Sequence, residues 1–493
     1  MSAGPLKILF VIFDNFQTER LGIQILSTIA REEGFDRRLL ILNRQESEEA
    51  LREALDYRPE IVAYSAMTFE QYDLQKFNRH LKNRGLQFIS IFGGHHYTFS
   101  PEEIHRDDAI DVVCRGEGEA AFREFIRAVK TGDDYLRIPN LLVRDGERII
   151  ENPFAPLVED LDSLPFPDRN LLPIFEPGSQ IFGRSVSVMF GRGCPNQCTY
   201  CYNSQWNRLY RGSRICRHRT LDNVLREIKE ILAEHQLDFI YFHDDNFALL
   251  PREVIAEFCR RYPEEIGLPF FAQFRAEFID EELVVMLKNA GLFVTTVGVE
   301  CGDEEVAAKI LKRGNVTNRD IIRAFDLFNK HGLRSFSQNM ACFPVPHPLE
   351  TDLKTIRLNI RCRPTWASFA ILIPIPHTEI WKYAIEKGYL EKDAFDRPGK
   401  LPSVFTRSRL DYHNSRLADR LENLHKFASI TVRFPSLLPL VRLLIKLPPN
   451  PLFQYLHFFW YGYWNTVGLF KTRLSFSLIL QGLKTIRQYR KKH

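Results

Sequence analysis

Three cysteines fall within eight residues of the stretch GRGCPNQCTYCYN (191–203). Cys194, Cys198 and Cys201 are spaced C-x3-C-x2-C. A structural zinc site normally takes four protein ligands, most often as two separated pairs. An iron–sulfur cube held by three thiolates leaves one iron open to bind something else, whereas an electron carrier normally supplies a fourth thiolate. Cys216 lies 15 residues after Cys201 and is a candidate fourth ligand, although RGSRICRHR around it is basic and reads as exposed. An open-iron cluster, a closed cluster and a zinc knuckle are therefore the three readings of the trio. The other cysteines, Cys114, Cys259, Cys301, Cys342 and Cys362, are scattered in apolar surroundings and read as buried small hydrophobes in a reducing compartment.

The elements that must hold this loop alternate. Between residues 181 and 395 the strand-like runs are SVSVMF (185–190), DFIYFHD (238–244), PFFAQF (269–274), FVTTVGVE (293–300), RSFSQNMACF (334–343) and WASFAILI (366–373), separated by helical patterns. Six such units predict a partial (β/α)6 TIM-like barrel with its chemistry at the carboxyl ends of the strands. The cysteines follow the first of these strands directly. Residues 1–150 alternate in the same way, with runs at 7–13, 38–43, 60–65, 87–92 and 111–114. They predict a doubly wound Rossmann/flavodoxin-like α/β sheet that binds ligand at its strand ends. The strand-end loops are DNFQTE, SAMTFE, GGHHYTF and RGEGE. Their glycines permit close approach of a ligand, and serve a tight turn equally well. Residues 151–180, rich in proline and acid, read as a linker.

The chain has 493 residues, more than one core accommodates. Its net charge of +4 is unevenly spread. Residues 423–493 carry 11 Lys/Arg and no Asp/Glu, and the remainder carries 55 basic against 62 acidic side chains, a net of −7. The region 396–493 therefore reads as helical, basic and aromatic. From Leu447 to Phe470 no charged residue occurs, but Pro448, Pro449, Asn450, Pro451, Gln454, His457 and Asn465 interrupt a bilayer span. Its Tyr and Trp suit a membrane interface, and KTIRQYRKKH adds cations. Peripheral binding to an anionic membrane is one reading, and a helical cap on the barrel mouth is the other. So apolar a tail argues against nucleic acid. MSAGPLKILFVIFDN reads as a buried first strand, not a signal peptide, which predicts a cytoplasmic protein.

C-x3-C-x2-C with Tyr200 before the last cysteine, after the first strand of a β/α barrel, resembles the radical S-adenosylmethionine (SAM) superfamily. The resemblance implies a [4Fe–4S] cluster on Cys194, Cys198 and Cys201. Its open iron chelates SAM, and reductive cleavage yields a 5′-deoxyadenosyl radical that abstracts hydrogen from an unactivated carbon. YFHDDNFAL (241–249), QFRAEFID (273–280) and TVGVECGDEE (296–305) resemble the following strand ends of that superfamily. By that likeness Tyr200, Asp244, Asp245, Asn246, Arg275 and Glu300 contact SAM. Acids, an amide and a cation at one rim suit a zwitterion with a ribose diol. A helix cap before LLPREV is the competing reading of Asp245 and Asn246. Relatives carry a G-x-P-G turn and a P-x-P-G-T turn where this chain has CFPVPHPLET (342–351) and PIPHT (374–378), which should stiffen and narrow those loops.

A doubly wound domain ahead of such a barrel resembles the cobalamin-binding class of the superfamily. RNA methylthiotransferases, the other two-part class, carry three more cysteines in the first domain, where this chain has only Cys114. The Asp-x-His-x-x-Gly motif that supplies a histidine to cobalt is absent, and His95, His96 and His105 stand in other contexts. The resemblance thus implies cobalamin held without a histidine on cobalt. By position Ser65, Gly93, Gly94, Thr98, Glu117 and Gly118 are the candidate contacts. A relict fold without cobalamin is the alternative. These expectations define a cobalamin-dependent radical SAM enzyme that methylates an unactivated carbon of a hydrophobic or lipid-like small molecule. It would be supplied with electrons by a flavodoxin- or ferredoxin-type donor, and would be cytoplasmic or peripheral on the inner face of the membrane. An oxidative cyclase or other carbon-radical rearrangement, as in the anaerobic magnesium-protoporphyrin ester cyclase it also resembles, is the alternative enzyme. A non-catalytic iron–sulfur or zinc-binding protein is the contrasting class.

Overall fold

A computed structural model of the protein describes residues 4–13, 19–42, 47–172, 184–395 and 404–469. The chain forms two compact units, residues 1–179 with 210–217, and residues 180–209 with 218–493.

In the first unit seven strands form one sheet in the order β2-β1-β3-β4-β5-β6-β7. They are β1 (Lys7–Phe13), β2 (Asp36–Leu42), β3 (Ile61–Ser65), β4 (Ile89–Gly93), β5 (Val112–Cys114), β6 (Leu141–Asp145) and β7 (Arg148–Glu151). The first five pair in parallel and the last two add antiparallel. The order 2-1-3-4-5 is flavodoxin-like, as expected. Consecutive side chains of β1 go to opposite faces. Ile8, Phe10 and Ile12 pack with Ile29, Phe122 and Phe125 on one side. Leu9, Val11 and Phe13 pack with Leu51, Leu74 and Phe77 on the other. Burial on both faces is why the strands read as unbroken apolar runs.

The β6–β7 hairpin was not foreseen. Its signal is Asp145-Gly146 between apolar residues, with Gly146 at φ +59°. The linker reading of 151–180 is corrected up to Leu172, because this segment is strapped onto the first unit. Asp168 accepts from Ser27 Oγ (2.8 Å) and pairs with Arg37 (3.0 Å), and Arg169 pairs with Glu19 (2.7 Å). Such long-range ion pairs leave no periodic trace in sequence.

The second unit is built on six parallel strands in consecutive order. They are β8 (Ser185–Val188), β9 (Phe239–Phe242), β10 (Phe270–Phe274), β11 (Leu292–Glu300), β12 (Arg334–Ala341) and β13 (Trp366–Ile371). All six coincide with predicted runs. The C-terminal helix Ser415–Arg433 lays Leu424, Phe427, Ala428 and Val432 against Ala367 and Phe369 of β13. The helix Pro451–Tyr463 continues through a π-turn to Leu469. Leu469 is buried with Phe239, Phe271, Val294 and Trp366. Arg334 donates to its carbonyl at 2.7 Å.

Phe239, Arg334 and Trp366 open their strands, so this tail seals the strand starts. The alternative of a cap on the barrel mouth is corrected: the aromatic surplus that drives the packing fixes no end in sequence. Among the described residues no helix is long and apolar enough to cross a membrane. KTIRQYRKKH lies outside the described residues.

Candidate active site

The cysteine loop leaves the carboxyl end of β8 and runs into the helix Tyr202–Leu209. Cys194 and Cys198 are buried, and Cys201 is part-exposed. The loop is pinned from several sides. Thr199 donates through N–H to Leu311 O (3.2 Å) and through Oγ1 to Ile310 O (2.7 Å), and its carbonyl accepts from Ile380 N (3.1 Å). Asn207 Nδ2 donates to Cys194 O at 2.9 Å.

Each of the three sulfurs accepts at least one N–H hydrogen bond. The donors are Asn196 Nδ2 to Cys194 (3.2 Å), Arg275 Nη1 to Cys198 (3.4 Å) and the Asn203 backbone N–H to Cys201 (3.5 Å). Burial pushes the Cys194 thiol up and the Cys201 thiol to about 12. Without a cation Cys194 and Cys201 would stay protonated. Among the described residues no three His, Cys, Asp or Glu side chains are drawn together round a single metal ion, this trio included. Three thiols on one loop, each with an N–H donor, fit the three-thiolate side of an iron–sulfur cluster.

The predicted SAM residues divide by what they do. Asp244 is buried, and its carboxylate accepts from Phe190 N (3.2 Å) and Gly191 N (2.5 Å). It holds the strand end that launches the cysteine loop. Burial raises its carboxyl to about 7, against those two backbone donors. Asp245 is exposed and within electrostatic reach of Cys194 and Cys201. Asn246 caps the short 3-10 turn Phe247–Leu249 through Oδ1, whereas the helix Arg252–Glu265 starts after Pro251, so the helix cap weighed for Asn246 is a cap of the shorter turn instead. Its buried Nδ2 has no partner among the described residues and remains a donor for a ligand.

Arg275 is buried with all three nitrogens engaged, by Glu277 (2.7 Å), Cys198 (3.4 Å) and Asn315 (3.1 Å). The structure therefore turns it to the cysteine loop.

Glu300 has φ +63° and follows a register shift between Gly298 and Glu300 against β12. A bulge beside a site re-aims a side chain. A Cβ on Gly298 would lie 2.7 Å from Glu300 Oε1, so that glycine makes the room. Burial pushes the Glu300 carboxyl up, and Arg313 and then Arg275 oppose this. Tyr200 accepts at its hydroxyl from Arg313 Nη1 (3.1 Å), and Arg313 Nη2 donates to Gly298 O (2.6 Å).

Arg313, Asn315 and Glu277 were missed as site residues. KRGN (312–315) carries no spacing signal, and only the fold brings it beside Tyr200. The two departing turns each hold a non-glycine residue in the left-handed region. Cys342 and His377 sit at φ +65° and +67°, where a glycine would rest freely.

In the first unit the predicted residues gather at the carboxyl ends of β3, β4 and β5. A Cβ on Gly94 (φ +94°) would lie 2.7 Å from Ala66 O and 3.2 Å from Ser65 Oγ, so the glycine serves the turn itself. Gly93 meets only ordinary contacts, and a Cβ on Gly118 would lie 3.3 Å from Cys114 Sγ. Thr98 joins two loops, donating to Gly94 O (3.0 Å) and accepting from Gly116 N (3.1 Å). Glu117 is in a buried bidentate pair with Arg217 (2.8 and 2.9 Å) and accepts from Val158 N (2.8 Å). The stretch around Cys216 is thus not wholly exposed: its end is drawn in by a carboxylate far away in sequence. A further histidine, His80, is exposed in the helix Gln71–Asn83 and stands clear of the strand ends.

A flavodoxin-like sheet, and a six-stranded α/β unit with three cysteines at the end of its first strand, define a two-part radical enzyme. Residues 188–352 match the model of the radical SAM superfamily, and residues 14–126 match that of the B12 binding domain. The chain thus carries a radical SAM region and, ahead of it, a B12-binding region. It is 29% identical to an uncharacterised methyltransferase of Pyrococcus horikoshii, over 68% of this chain and 71% of that one. It is 26% identical to the anaerobic magnesium-protoporphyrin IX monomethyl ester cyclase of Rubrivivax gelatinosus, over 75% of this chain and 68% of that one. Its fold is shared with the cobalamin-dependent SAM radical enzyme OxsB, with a TM-score of 0.67 at 16% identity, covering 99% of this chain and 76% of the other.

Proposed function

We propose that this enzyme transfers a methyl group to an unactivated carbon of a hydrophobic or lipid-like small molecule. The observation that carries the reading is the cysteine loop, whose three buried or half-buried sulfurs each receive at least one N–H donor, in a chain that also has a B12-type sheet. The cofactors of this reading are a [4Fe–4S] cluster, SAM and cobalamin. When bound, they supply a low-potential electron, a carbon radical and a transferable methyl.

The chain's own residues hold and orient. Cys194, Cys198 and Cys201 hold the cluster. Asp244 fixes the start of their loop. Asp245 and the Glu300 carboxylate would accept from the amino and hydroxyl groups of SAM, and Asn246 Nδ2 would donate to one of its oxygens. Tyr200, held by Arg313, lies against it. Ser65, Gly93, Gly94, Thr98 and Gly118 line the strand ends where cobalamin is taken. A flavodoxin- or ferredoxin-type protein reduces the cluster, and the enzyme works in the cytoplasm or against the inner face of the membrane.

The test is anaerobic turnover with methyl-deuterated SAM and a lipid extract. Label must appear in a product carbon only when cobalamin is present. Unlabelled product with an added ring or unsaturation would support the second reading, an oxidative cyclisation, which the likeness to the ester cyclase favours. No 5′-deoxyadenosine under any condition would sink both.

A further inference from the structure

Among the described residues, nine of the thirteen large apolar side chains that stay exposed lie between Phe434 and Tyr463. They are arranged in register. Leu452, Leu456 and Phe459 are spaced i, i+4, i+7 on the outer side of the helix Pro451–Tyr463, and Leu452 and Phe459 are each 72% exposed. Phe453 and His457 of the same helix are buried, so its inner side is spoken for. Leu440, Leu443 and Leu447 continue the apolar surface on the preceding short helix and its exit. Arg433, Arg442 and Lys446 are exposed beside it. From Asn423 to the end of the chain there is no acid. A soluble surface does not gather apolar side chains this way without a partner.

We propose that this face docks the enzyme flat on an anionic bilayer, with the leucines and Phe459 in the headgroup–acyl boundary and Arg433, Arg442 and Lys446 at the phosphates. It rests on the peripheral-contact part of the proposed function and is independent of the reaction. Three occupants compete: lipid, a second copy, or residues 470–493 folding back. The last two would bring cations onto a cation-flanked face, because residues 470–493 contain seven Lys/Arg and no acid and a second copy brings the same three cations. Anionic lipid complements both the charge and the apolar area. The helix that carries the face packs by its other side on the helix Ser415–Arg433, through Phe453 on Phe427 and His457 on His425, and leads on to Leu469 at the strand starts, so the contact is an anchor and not a doorway to the cysteines.

The test is flotation of the full chain, without SAM or cobalamin, on vesicles of phosphatidylcholine alone or mixed with phosphatidylglycerol. Binding should be about tenfold stronger on the anionic vesicles at low salt and weaken as salt rises. Leu452→Glu with Phe459→Glu should cut it by about tenfold or more with an unchanged melting temperature. Arg442→Glu with Lys446→Glu should abolish the preference for anionic vesicles. Failure of the wild-type chain to float on anionic vesicles, or flotation unchanged in the glutamate variants, overturns the proposal. So does a marked fall in melting temperature of the leucine–phenylalanine variant, which would mean residues 470–493 cover the face, or its conversion from dimer to monomer, which would mean a second copy does.

Discussion

Arg275 Nη1 lies 3.4 Å from Cys198 Sγ, with Glu277 and Asn315 occupying the other two guanidinium nitrogens. A buried, fully anchored cation on one thiolate stabilises the reduced, more negative cluster. Arg275→Gln should therefore lower the midpoint potential of the reconstituted cluster, by roughly 50 mV. Arg275→Lys should fall between the two. A redox titration followed by electron paramagnetic resonance reads this directly. An unchanged potential with full iron content, joined to a large loss of SAM affinity, would return Arg275 to the SAM carboxylate.

Asp244 accepts the N–H groups of Phe190 and Gly191. Asp244→Ala leaves both without their carboxylate, at a cost of about 2–4 kcal/mol. The expected outcome is lost iron per chain and a lower melting temperature. Asp245→Ala should instead keep the cluster and weaken SAM binding. Equal iron content in the two variants, measured colorimetrically, would contradict this division.

Glu117 and Arg217 form a buried pair whose rupture leaves a charge unpaired. Glu117→Gln should cost about 3–5 kcal/mol of stability. Hydroxocobalamin affinity at a temperature where the variant is folded should be close to wild type. A large affinity loss in folded Glu117→Gln would make it a true corrinoid contact. The bound cobalt should show no histidine nitrogen coupling in its cob(II)alamin spectrum, in the wild type or in His96→Ala.

His425 sits between Phe369 O (3.0 Å) and the ring of His457 (4.9 Å), with Lys426 beside it. Burial first, then the Lys426 charge, lowers its pKa to about 4, against the hydrogen bond to Phe369. A depressed folded pKa means that stability is fully present above about 6.5 and is lost as pH falls toward 4. The loss is on the order of 3 kcal/mol for this group. Wild type should lose stability across that window, and His425→Gln should lose less. Parallel pH profiles in chemical denaturation would remove His425 as the cause.

The sequence by itself determined the two α/β patterns, all the parallel strands and the cysteine trio. Strand periodicity is local, because both faces of each sheet are buried, and the motif is contiguous. It also determined the uneven charge, and so the cationic, apolar character of the tail. Tertiary structure decided the rest. Asp244 looks like its neighbour Asp245 in sequence, yet one is spent on backbone N–H groups and the other faces the thiols. Arg275 reads as a SAM contact in sequence, and only the fold shows that it donates to Cys198. Arg313 carries no signal in sequence, and the fold buries it beside Tyr200. The same tail helix packs one side and exposes the other, and only the position of Leu469 against the strand starts shows which. In each case the partner lies tens to hundreds of residues away, and a charge or an apolar side chain carries no mark of its distant partner until the chain closes on it.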